Sequence, residues 1–385
     1  MLTKNIRFKN FLSKFKNNKV KKNFKELLKR ELGILETLKP TYKYSYSKKL
    51  ISKNKKFKNI RIIGMGGSIL GIEAIYNFLK KRIKKNLTFV NNLNSNASYF
   101  KDQNINLNIV ISKSGNTLET ISNANTLIKN KDNNIFITEN KESYLTNLAK
   151  ELKSEIVDHQ NYIGGRYSVL SEVGMLPAEL MNLNENKFKQ FNKLIKNKKF
   201  VNNLINNVSI TLNLLRSGKH TSVILNYDEQ SESLFKWYQQ LISESLGKKS
   251  KGILPVISNM PKDNHSLMQL YLDGPKKNFY TFFNVLENET IKIKNKNILK
   301  SHVYLKNKSI ETIKHSQMLA TEKVFTSKKI PFRSFIIKKR NEEVLGELFC
   351  FFILETILLG RALKVNPFDQ PSVELIKKQT KKILS

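Results

Sequence analysis

INLNIVISKSGNTLETISNANTLI, residues 105–128, sets the reading of this chain. An apolar run of Leu107, Ile109, Val110 and Ile111 stops at a turn made of Ser112, Lys113, Ser114, Gly115, Asn116 and Thr117. A helical pattern then begins, with Leu118, Ile121 and Leu127 among its apolar positions. The expected order is strand, turn, helix. A helix N-terminus leaves backbone N–H groups unpaired and carries partial positive charge. Hydroxyls, a lysine and a glycine at that place form a compact site for a phosphate. The same residue types also form an ordinary N-cap, so the segment alone supports both readings.

The same alternation extends outward. Short β-like runs at 60–63, 88–90, 108–111 and 134–138 are separated by helical stretches at 69–82, 117–128 and 142–152. This is the pattern of a parallel sheet covered by helices. Helices at 175–181 and 188–194 follow. A second series has strands near 222–226, 253–257, 279–283 and 332–337, again with helices between. The chain closes with helices at 343–363 and 373–384 around a loop holding Pro367 and Pro371. The expected fold class is α/β, with two parallel-sheet units and helical ends. The divisions are a polar helical segment at 1–50, a first unit at 51–195, a second at 196–340 and a helical tail at 341–385. No plain sequence repeat links the two units.

The composition narrows the class. The chain has 385 residues, 40% of them hydrophobic, enough for two or three cores of ordinary size. The most apolar window, LFCFFILETILL at 348–359, is too short to span a bilayer and contains Glu355. It reads as a core helix. The lysine-rich start shows no continuous apolar region of a signal peptide. Cys350 is the single cysteine, which excludes an intrachain disulfide or a cysteine metal site. A cytoplasmic protein without a membrane partner is expected. The net charge of +37 comes almost wholly from lysines scattered along the chain. No helix-turn-helix or zinc-finger spacing accompanies it, and no interleaved aromatic platform does. No specific nucleic-acid partner is expected, although the charge suits attraction of anionic sugar phosphates.

Five further segments carry chemistry-bearing residues. GMGGS, 64–68, follows a predicted strand, where glycines let backbone approach a ligand. Its spacing fits neither a dinucleotide fingerprint nor a Walker loop, and a tight turn explains it equally well. IGGRYS, 163–168, sets Arg166 beside bare backbone. That guanidinium is expected to be exposed, able to hold a phosphate or offset developing negative charge, or else to be a plain surface arginine. In WYQQLISESLGKK, 237–249, Gln240 and Glu244 are four apart and share one helix face. Glu244 suits a general base, or a solvated face. PKDNHSLMQLYLDGP, 261–275, holds His265, one of five histidines. NPFDQPSVELIKK, 366–378, places Gln370 before a short helix and Lys377 just over one turn into it. No His, Glu and Cys grouping has metal-ligand spacing, so neither a metal nor a cofactor is expected. A phosphate cradle with Glu, His, Lys and Arg suits proton transfer next to a carbonyl.

Taken in order, GMGGSILG, SKSGNTLET, GGRYS, QQLISES, KDNHSLMQLYLDGP and FDQPSVELIKK resemble segments of the glucose-6-phosphate isomerase (phosphoglucose isomerase) family. The resemblance runs from about residue 60 to 378. It implies two sugar-isomerase (SIS) α/β/α sandwich domains, a C-terminal helical tail and a homodimer with a shared active site. It implies reversible interconversion of glucose 6-phosphate and fructose 6-phosphate through a cis-enediolate. By motif, Glu244 matches the base that moves the proton between C2 and C1. Arg166 matches the residue that stabilises the enediolate. His265 and Lys377 match residues associated with ring opening, the histidine arriving from the second subunit. Ser112, Ser114 and Thr117 match phosphate ligands, with Lys113 contributing backbone. Gly67, Ser68, Gly165, Gln240 and Gln370 match other substrate-site positions. The chain is short for the family. Glu172 stands where a small residue or proline is usual, and Ser372 where glycine is usual.

Two rivals share parts of this pattern. An isomerase that also accepts mannose 6-phosphate would use the same residues. A non-catalytic sugar-phosphate-binding regulator with this fold would keep SKSGNT but lack the Glu, His and Lys set.

Overall fold

The computed structural model describes residues 1–11, 17–29, 32–95, 104–286, 291–294 and 300–384. The chain opens with a short strand, β1 (Ile6–Lys9), and helices α1 (Asn18–Lys29), α2 (Gly33–Glu36) and α3 (Lys48–Asn54). Then come β2 (Asn59–Gly64), α4 (Leu70–Phe78), β3 (Asn86–Val90), β4 (Leu107–Ile111), α5 (Leu118–Leu127), β5 (Asn134–Thr138), α6 (Tyr144–Glu151) and β6 (Glu155–Asp158). Helices α7 (Glu172–Leu180), α8 (Phe191–Lys196) and α9 (Lys198–Arg216) lead to β7 (Thr221–Asn226) and α10 (Glu232–Leu246). The rest is β8 (Leu254–Asn259), α11 (Met268–Asp273), β9 (Asn278–Val285), α12 (Ile310–Ser327), β10 (Phe332–Ile337), α13 (Glu342–Leu363) and α14 (Pro371–Leu384).

The first sheet has the order β3-β2-β4-β5-β6, with every pairing parallel. Register sets Ile62 opposite Ile109, and Ile109 opposite Ile135. Strand side chains alternate between faces. Ile60, Ile62, Leu107, Ile109, Ile135 and Ile137 therefore fill one layer, while Ile63, Val110 and Phe136 fill the other. Both faces are covered, which is why β4 and β5 are buried along their whole length.

The second sheet has the order β1-β10-β9-β7-β8. Four strands are parallel, and β1 closes the edge antiparallel, with Ile6 opposite Ile337. Residues 1–50, read as helical, thus begin with a strand. IRFK is four residues long, and only its pairing with β10 defines it. The EIVD edge strand β6 is equally unreadable from sequence, for the same reason.

The window 348–359 lies in α13, which is buried without a break from Val344 to Gly360. A helix apolar all round needs cover on every side. Here α1, α9 and α10 pack against it. No helix of the described residues is long and apolar enough to cross a membrane.

Candidate active site

Strand β2 sits between β3 on one side and β4 on the other. The loops leaving β2 and β4 therefore diverge, and in open α/β sheets such a switch point is where ligands bind. GMGGS leaves β2 there and SKSGNT leaves β4. Gly66 has a positive φ of 53° and lies against the Gln240 amide. A Cβ on Gly67 would stand 2.1 Å from the Gly165 carbonyl carbon. The first loop and the GGRYS turn thus pack backbone against backbone, which only glycine permits.

The SKSGNT turn is not an ordinary cap. Thr117 holds the N-cap position of α5 but makes no side-chain capping bond. Its hydroxyl instead pairs with Ser112 Oγ at 2.9 Å. Ser114 Oγ accepts from Asn116 N at 3.2 Å. Gly115 has a φ of 68°, and its missing Cβ makes room for Ser143. The amides opening α5 are left without a capping side chain from Thr117, beside two hydroxyls. Lys113 donates to Asn161 O at 2.7 Å and lies 3.6 Å from Glu139. Burial pushes the Lys113 ammonium down, with Glu139 acting against that.

Helix α10 belongs to the second series yet reaches the first-sheet loops. Trp237, Tyr238 and Leu241 bury its other faces, leaving Gln240 and Glu244 toward the loops. Gln240 Nε2 donates to Glu244 Oε1 at 2.8 Å, and Arg166 Nη1 donates to Glu244 Oε2 at 3.1 Å. The Glu244 side chain keeps 28% exposure, so the carboxylate is fixed but open on one side.

Arg166 is not the exposed guanidinium the GGRYS sequence suggests; its side chain is 3% exposed. A guanidinium has five N–H donors, and each has an acceptor. Nε donates to Ser245 Oγ at 2.9 Å, and Nη1 also donates to Gln370 Oε1 at 3.2 Å. Nη2 donates to the carbonyls of Pro367 and Asp369 at 2.7 and 2.9 Å. Tyr167 OH joins Ser245 Oγ and Pro367 O. Arg166 therefore ties the C-terminal loop to α10. Ser245 and Tyr167 carry no sequence signal beyond standing next to Glu244 and Arg166.

One cavity of about 440 Å³ is lined by Gly67, Ser68, Lys113, Ser114, Thr117, Gly165, Arg166, Gln240, Glu244, Gln370 and Lys377. Glu119, Glu139, Lys141 and Glu374 also line it and were not singled out from the sequence. Two predicted positions lie outside the lining. Ser112 is buried behind Thr117. His265 is exposed after a 3-10 turn at Lys262–Asn264, beyond β8. No group of His, Cys, Asp and Glu among the described residues could hold a metal ion.

Glu172 is fully buried and well supplied with donors. His159 Nδ1 lies 2.8 Å from one oxygen, and Tyr42 OH donates to the other at 2.8 Å. The unusual residue at this position thus has partners of its own.

Comparison with known proteins identifies the family. The phosphoglucose isomerase family model matches residues 47–385. Glucose-6-phosphate isomerase of Methanocaldococcus jannaschii is 34% identical over 343 residues, 84% of this chain and 83% of that protein. Probable glucose-6-phosphate isomerase of Methanococcus maripaludis is 32% identical over 378 residues, 90% and 83% of the two chains. Among solved structures, a hypothetical protein of Thermus thermophilus superposes with a TM-score of 0.82 at 22% identity, covering 96% and 95% of the two chains. A glucose-6-phosphate isomerase from Chlamydia trachomatis gives 0.71 at 19% identity, covering 87% and 71%. These two likenesses concern the fold. With the motifs gathered round one cavity and the family model matched over nearly the whole length, the chain belongs to the phosphoglucose isomerase family.

Proposed function

We propose that this protein interconverts glucose 6-phosphate and fructose 6-phosphate. The observation that carries the reading is Glu244, held between Gln240 and Arg166 and facing the SKSGNT turn across one cavity. Phosphate binds at Ser114, Thr117 and the backbone N–H groups of that turn, where a helix N-terminus favours an anion. Anchoring one end of the open-chain sugar lowers the entropic cost of reaching the transition state. Glu244 takes the proton from C2, and the C2–H electron pair becomes the C1–C2 double bond of the enediolate. Arg166, at hydrogen-bonding distance from the base, offsets the charge that develops. Glu244 then returns the proton to C1 as the C1–C2 double-bond pair becomes the new C1–H bond. The hydroxyl proton of O2 passes to O1 and C2=O forms, so atoms and charge balance without an external acceptor.

Ring opening is assigned to Lys377, on the rim, and to His265. His265 does not line this cavity; we assign it to the site of a second copy, with a homodimer of shared sites as the working unit. Residues 51–195 and 196–340 are taken as the two SIS domains. A coupled assay of glucose 6-phosphate formation from fructose 6-phosphate tests the activity. Turnover no faster than that of Glu244→Gln would overturn it.

A further inference from the structure

The chain has 68 Lys and Arg against 31 Asp and Glu, so cations outnumber carboxylates about two to one. The cavity departs from that ratio. Its lining holds four glutamates, three lysines and one arginine, and each of those cations is ion-paired to a glutamate. Acidic groups are therefore concentrated at the place where an anion is expected to bind.

Glu139 occupies the phosphate end. It follows β5, the strand next to β4, and its backbone N–H donates to Lys113 O at 3.1 Å. That bond fixes the residue beside the SKSGNT turn. The side chain is 12% exposed. One carboxylate oxygen lies 3.6 Å from Lys113 Nζ, and the other contacts Lys141 Nζ. A phosphate bound at Ser114 and Thr117 would draw on the same two ammonium groups. Glu139 already engages both.

We infer that Glu139 is a stand-in anion that sets how tightly the site holds phosphate-bearing ligands. The inference rests on the phosphate-cradle reading of SKSGNT. A dianion entering the cradle must displace the carboxylate from Lys113 and Lys141 and then sit near its charge. Both effects weaken binding, and both are larger in a partly buried site than in open water. The weakening counters the strong positive field of the chain. It keeps inorganic phosphate from filling the cavity and lets a sugar-phosphate product leave.

The test is calorimetric titration of the full chain with inorganic phosphate, and separately with fructose 6-phosphate, at one fixed ionic strength. Glu139→Gln keeps the backbone bond and removes the charge. It should bind inorganic phosphate about tenfold tighter, and fructose 6-phosphate tighter as well. Lys141→Ala removes the cation and leaves the carboxylate, so it should bind phosphate about tenfold more weakly. The double variant should fall between the two. Unchanged or weaker phosphate binding by folded Glu139→Gln overturns the inference. If that variant does not fold, unchanged binding by Lys141→Ala overturns it. A wild-type protein that binds and isomerises fructose 6-phosphate while these variants match it refutes Glu139 alone. A wild-type protein that binds neither ligand refutes the cradle reading, and this inference with it.

Discussion

Glu172 has no solvent exposure, yet its carboxyl is held below the usual range. Burial alone would raise it. Hydrogen bonding and charge from His159, with the Tyr42 hydroxyl, outweigh that. His159 Nε2 in turn faces Ile163 O at 3.2 Å, so the pair braces the loop that leads into Arg166. Removing one partner of a buried hydrogen bond leaves the other unsatisfied. Glu172→Leu should therefore lose about 1–3 kcal/mol of stability in denaturant unfolding. Glu244 offers the opposite case, an ion pair open to the cavity. Glu244→Gln should unfold like the wild type, because an amide can keep a hydrogen bond to Arg166. Its isomerisation rate should drop by about 10²–10⁴-fold, the usual effect of losing a general base. Retention of activity within a few fold would remove Glu244 from the mechanism.

Among the elements, the start of α5 is the most instructive. Its N-cap hydroxyl is turned to Ser112 rather than to its own helix. A cap mutation normally destabilises a helix by about 1 kcal/mol. Thr117→Ala and Ser114→Ala should instead leave the thermal midpoint almost unchanged and weaken fructose 6-phosphate binding. Each lost charge-assisted hydrogen bond should cost about 1.5–3 kcal/mol of binding. Equal affinity with lowered stability would favour a plain cap. Helix α13 poses a different problem, because it carries Glu347 into the core. Burial pushes that carboxyl up to about 7, while hydrogen bonds from Thr3 Oγ1 (2.8 Å) and Asn5 Nδ2 (3.3 Å) act against it. The folded state therefore holds a proton that the unfolded chain releases near its ordinary pKa. The contribution to stability is complete below about pH 4.5 and is lost as pH rises through about 7. Glu347→Gln should remove this slope from a pH series of unfolding curves. An unchanged slope would assign it to other groups.

At the scale of the whole molecule, the question is set by His265, which is exposed and absent from the cavity lining. If it serves a neighbouring copy, His265→Ala and Glu244→Gln reside in different halves of each shared site. A mixed dimer then has one site with both defects and one with neither. Mixing the two nearly inactive proteins should restore activity as subunits exchange. No recovery, once mass spectrometry has verified mixed dimers, would place both residues in the site of one chain.

The sequence determined the local architecture because periodicity and turn chemistry are local properties. Alternating apolar runs marked β2 to β5 and β7 to β10 within a residue or two. Gly66, Gly67 and Gly115 marked the turns, since a side chain at any of them would collide or force a strained φ. LFCFFILETILL announced a core helix by being apolar on every face. Tertiary structure decided what depends on distant partners. The strand β1 exists through β10, some 330 residues later, and no pattern in four residues can encode that pairing. Arg166 looked exposed beside two glycines, and is buried because Ser245, Pro367 and Asp369 arrive from elsewhere to accept its protons. The carboxylate Glu139 became part of the cavity only because parallel pairing set β5 next to β4. Short-range preferences chose the elements, and long-range hydrogen bonds and burial chose which side chains face one another across the cavity.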